Sequence, residues 1–458
     1  MLNLKPKFVS KSLTIKLINF IFILAFFDNF SYSQDDQDNQ SLIDSEPSAL
    51  NQKAIESEAN QALYRAGRLE AELELKNLID AEQFLDAVHI AEEIVLITED
   101  EFGISKDLAL TLNNLGLIKN KAKLFNESEE DFLRSIEILR DIEGFYSEST
   151  IIPLIGLGIS NQNRNNYYEA ISIFNEARSV SRRVYGLLNE NQLQIMRHLS
   201  NVMVEMENYE EADKVELEAF QMMERVHGSE TMSLLPGLYR YADWLRRSYR
   251  FDEARIFYSR AIAIIKKNEG EQNKALIKPL LEIASSYRDQ KLQEGRGVGA
   301  LKMALEIAKN QENIDTLTIV DILISIGDWY TAFNRINNNR AEYTQAWDLL
   351  ETIEKTEELR NERFNEPIYV LRENPTSRGL TDPTDPEAEP GKILIMFDVS
   401  ETGRASNIEI LESIPPGLKD ASAIRAIRRS RFRPRIIDGE AVSTEKVIRS
   451  FSFYYPRN

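Results

Sequence analysis

Three histidines (His89, His198 and His227) and no cysteine are all that the 458 residues offer toward imidazole or thiol chemistry. Without cysteine there is no thiol nucleophile, no thiolate zinc site and no disulfide framework. His227 precedes a glycine at a helix end, where a cation suits the dipole; His89 and His198 read as structural or surface residues. Gly295-Arg296-Gly297-Val298-Gly299 has the spacing of a phosphate loop but follows no strand. Gly156-Leu157-Gly158 falls inside a helical pattern, where it reads as packing. No catalytic residue, metal or cofactor is expected, and the chain reads as non-enzymatic. A net charge of -19 argues against a nucleic-acid partner, which requires a positive footprint. What recurs instead is polar and aromatic side chains at a fixed interval, and their chemistry is recognition.

The elements that would position such side chains begin after a targeting segment. Lys5, Lys7, Lys11 and Lys16 precede an apolar run from Leu17 to Phe27, broken only by Asn19. Ser31 and Ser33 then stand before Gln34, completing the order of a secretory signal peptide over residues 1–33. The run is short of the roughly 20 residues that span a bilayer. Cleavage is the first expectation and a retained signal-anchor the alternative. Residues 34–68, with Asp35, Asp36, Asp38, Asp44 and Glu46, read as an acidic tether leading into a first helix. The expected location is the periplasm of a Gram-negative bacterium, or its inner membrane if the segment is retained.

Residues 69–355 repeat. A small residue recurs at Ala87, Ser128, Ala170, Ala212 and Ala254, spaced 41, 42, 42 and 42, and continues more weakly at Gly297 and Asn339. Twelve residues earlier stand Gly116, Gly158, Ser200, Ala242, Ser285 and Gly327. Seven residues later come Ser135, Ala177, Ala219, Ala261, Ala304 and Ala346. Small side chains in both columns let two antiparallel helices approach closely. Sixteen residues after each mark Gly103, Gly144, Gly186, Gly228 and Gly270 suit a helix C-terminus, which favours a left-handed residue. Phe132, Phe174, Tyr258 and Tyr343 are expected to fill the space between the small residues. Seven helix pairs fit. Gly295, Gly297 and Gly299 are expected in the turn between the helices of unit six.

These columns resemble the tetratricopeptide repeat (TPR) family, in the form with about 42 residues per unit found in kinesin light chains; the common form has about 34. The extra residues are expected to lengthen both helices. The resemblance implies a peptide- or protein-binding groove lined by first-helix side chains. Its groove positions fall on Asn113, Asn120, Lys121, Gln162, Asn163, Arg197, Asn201, Tyr239, Asp243, Arg246 and Arg247. Their mixed signs imply no ligand class.

Residues 356–390 are a Pro-containing linker and lead-in segment, with Pro367, Pro375, Pro383, Pro386 and Pro390 inside 24 residues. In residues 391–458 the periodicity becomes two, Ile393, Ile395, Phe397 and Val399 sharing one face of a strand. A turn at Glu401–Arg404, a second strand over Asn407–Glu412, a helical stripe of Ala421, Ile424 and Ile427, an Asp438-Gly439 hairpin signal and a closing strand through Val447, Phe451 and Phe453 follow. The fold class is mainly α: a TPR-like α-solenoid followed by a small α+β (β-β-α-β) domain.

Gly391, Ile395–Val399, Gly403, Glu412-Ser413, Ala421–Ile424, Arg431-Phe432-Arg433-Pro434, Asp438–Val442, Phe451 and Phe453 together resemble the C-terminal domain of the TonB family. Ser430 departs from it, standing where an aromatic is frequent. The resemblance implies docking to TonB-dependent outer-membrane receptors in transmembrane transport, by capture of a receptor segment as an added β-strand. The strand so implied is Val447, Ile448, Arg449, Ser450, Phe451, Ser452 and Phe453, while Phe451 and Phe453 also read as core. TonB-family energy transducers reach the inner-membrane motor through an N-terminal helix bearing histidine. Here the first histidine is His89, so motor contact is expected only if the N-terminal segment is uncleaved. The alternative function is an envelope scaffold without energy transduction. Six arginines between Arg425 and Arg435 make the last domain basic beside an acidic solenoid. They read as a solvated helix face, as steering toward an acidic receptor or lipid, or as a contact with the solenoid.

Overall fold

The computed structural model describes residues 67–292, 295–333, 336–376 and 387–456. The expected signal segment, the acidic tether and Pro383 and Pro386 lie outside these residues. Helix α1 covers 67–80 and α2 Phe84–Phe102. The following units pair α3 (Lys106–Lys121) with α4 (Phe125–Glu143), α5 (Ile151–Asn163) with α6 (Tyr167–Tyr185) and α7 (Gln192–Glu205) with α8 (Tyr209–His227). They continue with α9 (Leu235–Arg247) and α10 (Phe251–Glu269), α11 (Ile277–Asp289) and α12 (Gly295–Lys309), then α13 (Thr316–Ala332) and α14 (Ile336–Leu350). A ninth-residue cap, α15 (Thr356–Phe364), closes the row.

The repeat columns have the structural meaning their chemistry requires. Phe132, fully buried, lies against Gly116 of its own unit and Gly156 of the next, where any Cβ would collide with its ring. Phe174 meets Gly158, and Tyr343 meets Gly327, in the same way. One aromatic therefore joins a helix pair and, at Phe132, also its neighbour, giving a core that runs from unit to unit. Gly103, Gly144, Gly186, Gly228 and Gly270 all have positive φ at second-helix ends.

Two expectations change. The added length sits mainly in the second helix, which is 19 residues in α2, α4, α6, α8 and α10, whereas α5, α9 and α11 have 13. Short 3-10 turns (Glu148–Thr150, Met232–Leu234, Lys274–Leu276) precede those three first helices. Gly297 and Gly299 are inside α12 and not in a turn, because Gly297 makes room for the Trp329 indole.

The inter-helix turn carries a signature that residue type hides. Glu82, Lys123, Asn165, Glu207, Tyr249 and Lys291 are all left-handed, one per unit. The next residue donates its N–H five residues back each time, as from Leu124 to Lys119 (2.8 Å) and Arg250 to Leu245 (2.9 Å).

Beyond α15, strand β1 (Ile368–Leu371) runs antiparallel to β4 (Arg431–Arg433). Strands β2 (Ala388–Val399), β3 (Ala405–Ile414) and β7 (Thr444–Pro456) form an antiparallel sheet of order β3-β2-β7, and β5 (Arg435–Ile437) pairs with β6 (Glu440–Val442). The Asp438-Gly439 turn between the last two has both φ angles positive, as a tight hairpin demands. Helix α16 (Asp420–Arg429) covers the sheet with Ala423, Ala426 and Ile427. Ala421 is exposed and not part of that stripe; Ser422, Ala423 and Ala426 turn inward instead. The anticipated β-β-α-β order is thus present, with β4, β5 and β6 added before the closing strand and β1 added ahead of it.

Candidate functional site

Strand β7 lies at one side of its sheet with only β2 beside it among the described strands. Its side chains alternate: Val447, Phe451 and Phe453 are buried, while Ile448, Ser450 and Ser452 are exposed. Phe453 packs flat against Gly391 of β2, where a Cβ would strike the ring. Arg449 turns to the inner side, and its Nη2 donates to the Pro367 carbonyl (2.9 Å), beside the start of β1. The core thus fixes β7 through alternate side chains and leaves a lateral edge and the residues Ile448, Ser450 and Ser452 toward solvent.

Around that strand the lead-in segment is tied down. The Ser430 hydroxyl accepts from the Glu373 N–H (3.0 Å) and donates to the Ala426 carbonyl (2.9 Å), which is why a small hydroxyl replaces an aromatic there. The Ser422 Oγ accepts from the Thr376 N–H (2.7 Å), and the Lys419 ammonium donates to the Thr376 carbonyl (2.9 Å). Phe432 is fully buried between Tyr369 (centroids 4.5 Å apart) and Phe397 (5.2 Å).

The largest feature that sequence reasoning missed joins this domain to the solenoid. Arg433 donates from Nε to Asp328 Oδ1 (2.8 Å) and from Nη2 to Oδ2 (2.7 Å), a two-pronged pair inside the protein. Its Nη1 donates to the Arg363 carbonyl (2.9 Å), and the Tyr343 hydroxyl donates to Asp328 (2.8 Å). Burial opposes charge on Asp328, but the Arg433 guanidinium outweighs it and holds the carboxyl below the usual aspartate value. Burial and the Asp328 carboxylate push the Tyr343 hydroxyl well up. Ile436 enters a shared apolar cluster with Val320, Leu323, Tyr343, Leu350 and Phe364, and the Thr344 hydroxyl donates to the Gly439 carbonyl (2.7 Å). Gly403, with φ +75°, touches both the Phe432 carbonyl and Thr331, leaving no room for a side chain. A periodic signal for this site exists. Asp243 and Asp328 occupy the same repeat column, and their partners Tyr258 and Tyr343 occupy another. In unit five Arg246 stands where unit seven has Thr331, so only Asp328 is left for an outside cation.

The eleven groove positions divide. Asn113 is buried, 6% exposed, beside Asn114, and so it cannot face a groove. Asn120 is a clamp between units: its amide donates to the Gly156 carbonyl (3.1 Å) and its oxygen accepts from Ser128 (2.8 Å) and Ser160 (2.9 Å). Gln162 donates to Glu205 of the next unit (2.9 Å), and Asn163 to the Ile159 carbonyl (2.8 Å). Asp243 accepts from Tyr258 (2.5 Å); Arg246 binds Asp289 (2.9 Å) and lies 3.6 Å from Glu282. Tyr239 is half-buried under the Lys278 ammonium, 4.4 Å from the ring centre, and burial pushes its hydroxyl up to about 12. Lys121, Arg197, Asn201 and Arg247 are exposed. First helices of successive units also pack on one another, α3 on α5 and α11 on α13, which makes them the inner layer.

Two family models match this chain. Residues 149–225 match the tetratricopeptide repeat, and residues 387–454 match the Gram-negative bacterial TonB protein C-terminal domain. The chain carries tetratricopeptide repeats and a TonB C-terminal domain. Both are interaction domains. Similar solved structures include BtubC (BKLC) from P. vanneervenii, 15% identical over 50% of this chain and 91% of that one, with a TM-score of 0.38. The C-terminal part of a TPR repeat-containing protein from Cytophaga hutchinsonii is 11% identical over 62% and 97%, with a TM-score of 0.39. A tetratricopeptide repeat protein from Parabacteroides merdae is 12% identical over 64% and 96%, with a TM-score of 0.35. With TM-scores under 0.5 these add nothing to the two family matches. No curated protein matches the chain. Among the described residues no helix is long and apolar enough to cross a membrane.

Proposed function

We propose that this is a non-enzymatic periplasmic protein whose TonB C-terminal domain docks a TonB-dependent outer-membrane receptor by strand addition on β7, while the solenoid binds a second protein. The observation that carries the reading is the lateral position of β7 in a domain matched to the TonB family, with its inner side chains committed to the core. An added strand gains main-chain hydrogen bonds from such an edge, and Ile448, Ser450 and Ser452 would give side-chain choice. The buried Arg433–Asp328 pair supports a role as adaptor: a domain held on a solenoid presents two binding surfaces in a fixed relation. The same pair favours the envelope-scaffold reading over force transduction through a free tether.

The test is binding of a peptide from a receptor's N-terminal segment to the protein, measured by calorimetry. Phe453 is a poor site for perturbation because it is core. Arg449→Pro and Ser450→Pro cover both phases of the ladder, so one of them removes an outward N–H without breaking the pairing with β2. That variant should fold and fail to bind. Saturable binding unchanged in both variants, or no binding of any receptor segment from the same cell, would sink the reading.

A further inference from the structure

The inner and outer helices of the solenoid carry opposite charge. The inner helices α3, α5, α7, α9 and α11 hold nine lysines and arginines against five aspartates and glutamates. The outer helices α2, α4, α6, α8 and α10 hold eleven against twenty-four. A chain of net charge -19 thus lines its concave side with positive charge.

Pairing sharpens the contrast. Glu205 is bonded by Gln162, Asp243 by Tyr258, and Glu282 and Asp289 lie against Arg246. Among the described residues, Lys121, Arg197, Arg247 and Lys278 have no carboxylate partner. Arg247 reaches only the Asp243 carbonyl (3.4 Å), and Lys278 only the Tyr239 ring. These cations stand in units two, four, five and six. Between them, Asn163 and Asn201 are exposed amides able to meet a peptide backbone.

We propose that the inner face binds an extended acidic segment of a partner protein, its carboxylates meeting Lys121, Arg197, Arg247 and Lys278 one repeat after another. The inference deepens the solenoid's share of the proposed function and stands apart from β7. Because the cations are spread along the row, the recognised element is a run of internal carboxylates and not a single chain end. Charge complementarity decides the class: the outer face repels such a segment, and the inner face attracts it over the whole groove.

The test is fluorescence anisotropy with a labelled peptide of six Glu-Gly repeats, acetylated and amidated so that only side chains are charged. Saturable binding that falls roughly tenfold between 0.05 and 0.3 M NaCl is expected. The triple variant Lys121→Gln/Arg197→Gln/Lys278→Gln changes only surface side chains and should weaken binding roughly five- to thirtyfold. Arg225→Gln, on the outer helix α8, should leave it unchanged. A Gln-Gly peptide binding equally well, or no loss in the triple variant, overturns the proposal. The chain's own acidic segment is separated by neutralising Asp35, Asp36, Asp38, Asp44 and Glu46. If that raises affinity tenfold or more, the occupant is the chain itself and the partner reading fails. Receptor-peptide binding at β7 should be indifferent to every one of these changes, so the two readings fail separately.

Discussion

Arg433→Met is the perturbation that most directly probes how the two domains are held together. The wild-type guanidinium makes two charge-assisted bonds to Asp328, at 2.8 and 2.7 Å, and a third to the Arg363 carbonyl. Methionine fills similar volume but leaves the Asp328 carboxylate buried, with Tyr343 as donor and Arg288 at 4.0 Å. Removing one partner of a buried pair costs about 3–5 kcal/mol, because a desolvated charge is left without its counter-ion. Asp328→Leu together with Arg433→Met removes both charges. That double variant should recover most of the loss, to within about 1–2 kcal/mol of wild type, the remainder being Tyr343's lost acceptor. Native-state hydrogen exchange is the assay. In Arg433→Met, amides of β4 and of the β5–β6 hairpin should exchange about two to three orders of magnitude faster, while α3 to α8 stay as they were. A change under tenfold, or a double variant no better than the single one, would refute a lock made by this pair.

Two further outcomes follow from packing and charge. Gly156→Ala puts a methyl into the Phe132 ring, and overpacking of this kind should cost about 1–3 kcal/mol, read as a lower urea midpoint with unchanged slope. His198 stacks on Phe174 with centroids 5.2 Å apart; burial first, then Arg197 and Arg240, pushes its imidazole down to about 4. A depressed value means stability present above the unfolded pKa of about 6.5 and lost as pH falls toward 4, so pH 5 should cost about 2 kcal/mol relative to pH 7.5. His198→Gln should remove that slope; an unaltered pH profile would dissociate it from this residue.

The period of 42 was legible because close helix packing admits only small residues at Gly116, Gly158 and their columns, and so writes itself into residue type. The left-handed turns were not, since Glu82, Lys123, Asn165 and Tyr249 share a conformation and no side-chain chemistry. Strand β7 was readable from alternation, as was the Asp438-Gly439 hairpin. The groove was only half readable: Asn113 and Asn120 have the right type but point into contacts between helices, which spacing alone does not separate from the open face. The Arg433–Asp328 pair spans 105 residues and required two domains to be placed against each other. Its trace lay in one substitution between units, Thr331 where unit five has Arg246, which leaves Asp328 open to a cation from elsewhere. The exposed Ala421 shows the same limit, a helix of ten residues giving too few turns to fix its inward face.

The central claim is that β7 offers an edge to a receptor strand, and hydrogen exchange of the protein with and without a receptor N-terminal peptide tests it most directly. The account predicts new protection at alternate amides between Val447 and Phe453, with β3 unchanged. Protection on β3 instead, or none on β7 at saturating peptide, would contradict it.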